Sequence, residues 1–467
     1  MGSRPYLIFK KNYSIIIIMK KNDLVDLTVT GMTLQGDGIA RPGGVPVFVP
    51  GTCPGDNVKA LILKVRPNCA FGKCAEILTP SPRRIDPQCA AFPRCGGCAF
   101  RHISYEEELA IKSREARETL RRIGGLELAP EPILGASSPE RYRNKALLPV
   151  HREQGRIRAG YYARRSHRVV YSEDCRLQPE LFNRLARAVC AWAEAAGCGV
   201  YDEETHRGLL RHIYLRQSQG GAQALVCLVV NGQGVPRADL LISHLRRESP
   251  AVKGILLNHN REDTNVVLGP EETLLWGEGH ITETLCGLEF ALSPRSFFQV
   301  NPAQAERLYR LAGEYAGLTG GERVLDLYCG TGTIGLSMAR GCAELVGVEI
   351  VPQAAEDARR NALRGGIANA RFLCMDAARA AAQLAGEGWR PDVVLLDPPR
   401  KGCEPALLRG VAGMAPARVV YISCDPATLA RDLKLLGELG YGPVRVAPVD
   451  MFPRTGHVEM IALFVAK

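Results

Sequence analysis

The sequence predicts a multidomain chain with a small N-terminal β-barrel, a central α+β region and a C-terminal α/β domain on a doubly wound parallel sheet. Three observations predict it. At 467 residues the chain exceeds one ordinary core, so two or three domains are expected. Residues 22–82 read as short alternating strands punctuated by Gly and Pro, the pattern of a small five-stranded barrel of the oligonucleotide-binding type. From about residue 291 the pattern becomes strand, glycine-rich loop and helix, repeated, which builds a parallel sheet with its ligand at the strand C-termini.

Composition narrows the setting. Hydrophobic content of 46% and charged content of 23% describe an ordinary soluble chain with a sizeable core. A formal net charge of +10 leans towards an acidic partner such as nucleic acid. Sixteen cysteines scattered through regular patterns point to a reducing, cytoplasmic compartment with most thiols free. No apolar run approaches the roughly 20 residues of a membrane helix, so no membrane partner is expected. The run 15–18, flanked by lysines, is too short for a signal-peptide core. Residues 1–21 are expected to be a disordered extension, and Met19 opens a more ordinary start to the chain.

In the barrel region, residues 24–29 alternate, Gly36-Asp37-Gly38 turns, and residues 45–50 form a second strand. Pro54-Gly55-Asp56 then turns into the strand 58–65. These turns and strands together resemble the TRAM domain, an RNA-binding barrel attached to RNA-modifying enzymes. Lys59, Lys64, Arg66, Lys73, Arg83 and Arg84 suit that contact, and a plain structural barrel is the alternative.

The central region, 83–290, opens on Cys89, Cys95, Gly96, Gly97 and Cys98. Three cysteines within ten residues, with glycines that let the backbone wrap, have the look of thiolate ligands to a metal centre, and Cys175 is the candidate fourth. Zinc, an iron–sulfur cluster and a redox pair at Cys95 and Cys98 remain open on spacing alone. Residues 104–122 read as a charged amphipathic helix with a solvated face. Between 139 and 168 lies a basic, aromatic stretch including Arg141, Tyr142, Arg143, Lys145, Arg156, Arg158, Tyr161 and Arg164. Arginine and lysine bind phosphates and tyrosines stack on unpaired bases, so RNA contact is expected there. Residues 181–290 read as scaffold.

The C-terminal domain, 291–467, carries Gly330-x-Gly332-x-x-Gly335 after a strand that contains Asp326, and Glu349 ends the next strand. Alone this pattern also fits an NAD enzyme. Asp326 before the glycine turn, Asp376 at the end of the strand after Glu349, and Asp397-Pro398-Pro399-Arg400 favour S-adenosylmethionine; the last resembles the Asp/Asn-Pro-Pro motif of methyltransferases acting on nucleobases. Residues 419–423 form a β-branched run ending at Cys424, followed by the helix-start pair Asp425 and Pro426. A cysteine at a helix N-terminus is expected to favour the thiolate. Pyrimidine C5 becomes nucleophilic only after a group adds at C6, and a base must later remove the C5 proton. Cys424 suits the first role. Glu459, just before the final strand, suits the second.

The segments Ser423-Cys424-Asp425-Pro426, Asp397-Pro398-Pro399-Arg400-Lys401-Gly402 and His457-Val458-Glu459 together resemble the bacterial RNA 5-methyluridine methyltransferases, over residues of about 22 to 467. The resemblance implies a Rossmann-like S-adenosylmethionine-dependent methyltransferase domain and a central iron–sulfur domain. It implies a [4Fe–4S] cluster on Cys89, Cys95, Cys98 and Cys175, and cofactor contacts at Gln299, Tyr328, Gly330, Thr333, Glu349, Asp376 and Asp397. Phe297 and Gln299 would lie near the target base. Family members often carry Asn where this chain has Thr333 and Asp376. A TRAM barrel plus a cluster is similar to the 23S rRNA branch, so the expected partner is structured 23S rRNA with an everted uridine, met by a monomer. A tRNA 5-methyluridine methyltransferase and a non-catalytic iron–sulfur RNA-binding protein are the alternatives.

Overall fold

The computed structural model describes residues 19–263 and 266–467. Most of the expected N-terminal extension, 1–18, lies outside these residues. Met19 differs from that expectation, because its side chain is buried against the barrel interior.

The barrel comprises β1 (Leu24–Met32), β2 (Asp37–Ala40), β3 (Val47–Pro50), β4 (Asn57–Arg66) and β5 (Cys69–Thr79). It closes in the order β1-β2-β3-β5-β4. Side chains two apart on each strand point the same way, so Leu27 and Val29, Val47 and Val49, and Val58, Ala60 and Ile62 all face inward and fill it.

The helix α1 (Tyr105–Gly124) follows, capped by Ser104, whose hydroxyl accepts from Glu107 N–H at 3.3 Å. It is not a plain solvated helix. Ala116 and Leu120 share one core with Leu429, Ala430, Leu433 and Leu436 of the C-terminal domain. Residues 105–124, which the sequence placed in the central region, therefore pack on the C-terminal sheet.

Seven strands and two helices make the central sheet: β6 (Lys145–Glu153), β7 (Arg156–Tyr162), β8 (Val169–Tyr171), α2 (Glu180–Ala195), β9 (Leu210–Gln217), β10 (Ala224–Val230), α3 (Ala238–Glu248), β11 (Val252–His259) and β12 (Glu271–Gly277). Their order is β12-β11-β10-β9-β6-β7-β8. β10 is buried at every position, as expected of a strand covered on both faces. A two-stranded ribbon, β13 (Ile281–Leu285) and β14 (Leu288–Leu292), leads into the C-terminal domain.

That domain contains α4 (Pro302–Ala316), β15 (Arg323–Leu327), α5 (Thr333–Met338), β16 (Glu344–Glu349), α6 (Pro352–Arg364), β17 (Ala370–Cys374), α7 (Ala377–Gly386), β18 (Val393–Leu396), α8 (Pro405–Met414), β19 (Arg418–Ser423), α9 (Pro426–Glu438), β20 (Tyr441–Val449) and β21 (Glu459–Ala466). The sheet order is β17-β16-β15-β18-β19-β21-β20. The sequence predicted a parallel sheet; the structure differs at one edge, where β21 runs antiparallel to both β19 and β20. The chain winds outwards from β15 to β17, then returns to β18 on the other side. The crevice between β15 and β18 is the topological switch point at which α/β sheets bind ligands. Among the described residues no helix is long and apolar enough to cross a membrane.

Candidate active site

A cavity of about 1470 Å³ opens above the C-terminal ends of these strands. Tyr328, Gly330, Glu349, Asp376, Asp397, Cys424, Glu459, Phe297 and Gln299 all line it. Residues far apart in sequence thus reach one space.

The glycine turn is built by β15 and β16. Gly330 and Gly332 have φ of 57° and 82°, the left-handed region that glycine adopts without strain. Gly330 donates to Glu349 Oε2 at 3.0 Å, and Val351 donates to Glu349 Oε1 at 2.8 Å, which pins the Glu349 carboxylate at the rim. Asp326 is buried and accepts from Gly335 N–H at 3.0 Å through Oδ2, while its Oδ1 has no partner. A Cβ at Gly335 would stand 2.6 Å from that Oδ2, so the third glycine is set by close approach. Asp376 caps α7, its Oδ1 accepting from Ala378 at 3.0 Å and Arg379 at 3.1 Å. Thr333 is outside the cavity wall. Its hydroxyl meets the Tyr309 hydroxyl at 3.2 Å, and Thr331 lines the cavity instead.

Phe297 and Phe298 divide two tasks. Phe298 is buried against Phe290, with ring centroids 5.7 Å apart, and anchors the segment. Phe297 is 67% exposed and faces the cavity, a free aromatic surface for a base.

Cys424 lies between β19 and α9, whose cap is Asp425; its Oδ1 accepts from Ala427 at 2.8 Å. Glu459 opens β21 and is buried. The antiparallel register that opposes Ser423 to Met460 brings both residues to the same end of the sheet. Burial, reinforced by Asp397, pushes the Glu459 carboxyl up to about 8, and burial pushes Asp397 to about 7. The sequence expectation of a favoured thiolate at Cys424 is corrected. Burial, then Glu459 and Asp397, push its thiol up to about 11, and the Arg400 guanidinium is the cation that opposes them. Uncompensated desolvation outweighs the helix end.

A buried ionic network holds the loop 450–458 that leads to Glu459. Lys112 Nζ is fully buried and donates to Glu108 Oε1 and Asp450 Oδ1, both at 2.7 Å, and to the Phe452 carbonyl at 3.3 Å. The Tyr105 hydroxyl donates to Asp450 Oδ2 at 2.8 Å, and Arg454 N–H donates to Glu108 Oε1 at 2.7 Å. Sequence reading missed this network, since Lys112 and Asp450 are 338 positions apart. The only local signal is the i, i+4 pair Glu108 and Lys112.

The four predicted cluster cysteines are half-buried. Cys95 feels the charge of Cys89 and Cys175, and Cys98 feels that of Cys95 and Cys175. Gly97 N–H points at Cys95 Sγ at 3.4 Å, and Gly96 donates to the Tyr162 carbonyl at 3.0 Å. A Cβ at Gly96 would meet the backbone of Arg164 at 2.9 Å, so the turn requires glycine. Arg101 and Arg143 stand beside these thiols and supply positive charge for a thiolate-bound centre. Among the described residues, however, no three His, Cys, Asp or Glu side chains are placed to hold a metal ion. The basic, aromatic stretch divides as well: Arg143 and Tyr161 serve this cysteine site, and the Tyr142 hydroxyl donates to the Pro453 carbonyl at 2.9 Å. Arg156, Arg164 and Arg165 remain exposed.

The chain is similar to known proteins over nearly its whole length. Residues 287–467 match the family model described as tRNA (uracil-5-)-methyltransferase, and residues 20–75 match the TRAM domain. A Clostridium tetani protein described as an uncharacterized RNA methyltransferase is 43% identical over 447 residues, covering 96% of this chain and 97% of the relative. A similarly described protein of Halalkalibacterium halodurans is 42% identical, covering 96% and 98%. The crystal structure of Pyrococcus abyssi tRNA (uracil-54, C5)-methyltransferase in complex with S-adenosyl-L-homocysteine superposes with a TM-score of 0.76 at 25% identity, covering 94% of this chain and all of that one.

Proposed function

The chain belongs to the tRNA (uracil-5-)-methyltransferase family and is an S-adenosylmethionine-dependent RNA methyltransferase, and on that premise we propose that it methylates C5 of a uridine in 23S rRNA. The observation that carries the reaction is the shared cavity of Cys424, Glu459 and Phe297.

In this reading the everted uracil stacks on Phe297, with Gln299 beside it. The Cys424 thiolate adds to C6, forming a C–S bond and making C5 nucleophilic. When bound, S-adenosylmethionine would supply the methyl group that C5 takes, leaving as S-adenosylhomocysteine. Gln299, Tyr328, Gly330, Glu349, Asp376 and Asp397 would hold that cofactor, with Thr333 acting through Tyr309. Glu459 then takes the C5 proton, the C5–C6 double bond reforms, and the thiolate leaves. A buried carboxyl with a proton affinity near neutrality suits a general base.

The chain reads as three working parts: a TRAM barrel for RNA, a central region with the cysteine site, and the catalytic domain with α1 packed on it. Cys89, Cys95, Cys98 and Cys175 are proposed to hold a [4Fe–4S] cluster. What supports this reading is that Cys95 and Cys98 each feel the charge of Cys175, with Arg101 and Arg143 beside the thiols. The cluster would tie the loop 89–98 to residue 175. We place the protein in the cytoplasm as a monomer.

One observation favours a second reading. The P. abyssi neighbour, matched over its full length, acts on tRNA. Mapping 5-methyluridine in both 23S rRNA and tRNA from a deletion strain separates the two. Loss of a site in 23S rRNA is expected; loss confined to tRNA overturns the rRNA assignment.

A further inference from the structure

We propose that Lys145, with the buried Arg216 behind it, forms a phosphate-binding subsite at the wall of the reaction cavity, taking a backbone phosphate of the RNA strand whose base enters it. This inference rests on the RNA-methyltransferase reading above.

The two residues are direct partners across the antiparallel ladder of β6 and β9. Like charges directly opposite one another destabilise a sheet. Here neither cation has an ion-pair partner among the described residues. Arg216 is 1% exposed, and its Nη2 donates to the Ser296 carbonyl at 2.7 Å. Its Nε and Nη1 are buried without partners. The acid that acts on Arg216 is Glu283, whose carboxylate already accepts from Gln219 N–H and Thr284 N–H. Arg216 does not line the cavity itself, so its uncompensated positive charge acts from behind Lys145, which does.

Lys145 is half-buried and lines the same cavity as Phe297. Its ammonium has no hydrogen bond to another side chain or carbonyl among the described residues. Burial, then Arg216 and Arg143, push its ammonium down to about 8, the response of a cation that lacks an anion. Lys145 reaches the cavity from the central sheet, whereas Glu349, Asp376 and Asp397 reach it from the C-terminal sheet. An anion at Lys145 therefore sits on the side of the exposed Phe297 ring, where a strand delivering a base would run. RNA brings one phosphate per nucleotide, and each phosphate neutralised by a lysine or arginine adds to the salt dependence of binding.

The test uses the full chain, unmodified 23S rRNA transcript, and the variants Lys145→Met and Lys145→Arg. RNA affinity is measured across a salt series, and S-adenosylmethionine affinity is measured separately. Lys145→Met is expected to weaken RNA binding several-fold and to lower the slope of log affinity against log salt by about one. Cofactor affinity should hold, and Lys145→Arg should restore both the affinity and the slope. An unchanged slope overturns the proposal, as does a loss that falls on cofactor binding or on turnover alone. A wild-type chain that binds this RNA and methylates none of it would sink the catalytic reading while leaving the slope measurement decisive for the subsite.

Discussion

Cys424 and Glu459 share one end of the sheet because β21 runs antiparallel to β19, with Ser423 opposite Met460. A parallel final strand would carry its first residue to the far edge. The same closeness makes the two groups interact: the Glu459 carboxylate raises the Cys424 thiol, so charging one opposes charging the other.

Their division of labour separates by mutation. Cys424→Ala should abolish methylation yet leave S-adenosylmethionine binding intact. Glu459→Gln should slow turnover by about 10²–10⁴-fold, the usual worth of a general base, and let a covalent RNA–protein adduct accumulate. Denaturing gels of enzyme incubated with RNA and cofactor check this, and normal turnover by Cys424→Ala would refute the nucleophile.

Activity should rise with pH. Both working forms are deprotonated, the Glu459 carboxyl is raised to about 8 and the Cys424 thiol to about 11. A kcat/KM profile is therefore expected to climb from pH 6 through pH 9. Arg400 lowers both groups, so Arg400→Gln should displace the climb to higher pH. An identical profile in the variant counts against that role.

Asp326 makes a prediction about stability. Burial raises its folded pKa to about 8 from an unfolded value near 3.8. A raised carboxyl contributes stability that is full below the unfolded value and is lost as pH rises through the folded one. Asp326→Asn keeps an acceptor for Gly335 N–H and removes that loss. The difference in Tm between the variant and the natural chain should therefore favour the variant more at pH 8.5 than at pH 5.5. Equal differences at both values would refute it.

Lys112 lies between two buried carboxylates, Glu108 and Asp450. Lys112→Met should cost about 3–5 kcal/mol, because it leaves Asp450 buried without its cation and Glu108 with Arg454 alone. Adding Glu108→Gln and Asp450→Asn should recover part of the loss. Denaturant midpoints of the single and triple variants test this; a single variant as stable as the natural chain would show that the network contributes little.

For the cysteine site, anaerobically purified protein is expected to be brown and to contain iron. Cys98→Ala should lose most of that iron. Gly96→Ala should lower it as well, because its Cβ would push on the Arg164 backbone. Stoichiometric zinc without iron would replace the cluster by a zinc site.

Much of the fold was legible in the sequence because its signals are local. Alternation with Gly and Pro turns gave the barrel, and Asp425 with Pro426 marked the start of α9. The glycine spacing marked the turn after β15, and Cys424 and Glu459 stood out through their placement at strand ends and the motifs around them. Other features depended on partners distant in the chain. Only the tertiary structure showed β21 antiparallel, α1 packed on α9, and Lys112 bound to Asp450. It also reversed the expectation for the Cys424 thiol, since a helix start can be read from neighbouring residues whereas burial and facing carboxylates cannot. The sequence by itself determined which chemical groups are present and what local turns they favour. The tertiary structure decided which of those groups meet and how much water they keep, because distance and desolvation are set by packing between segments that the chain order leaves apart.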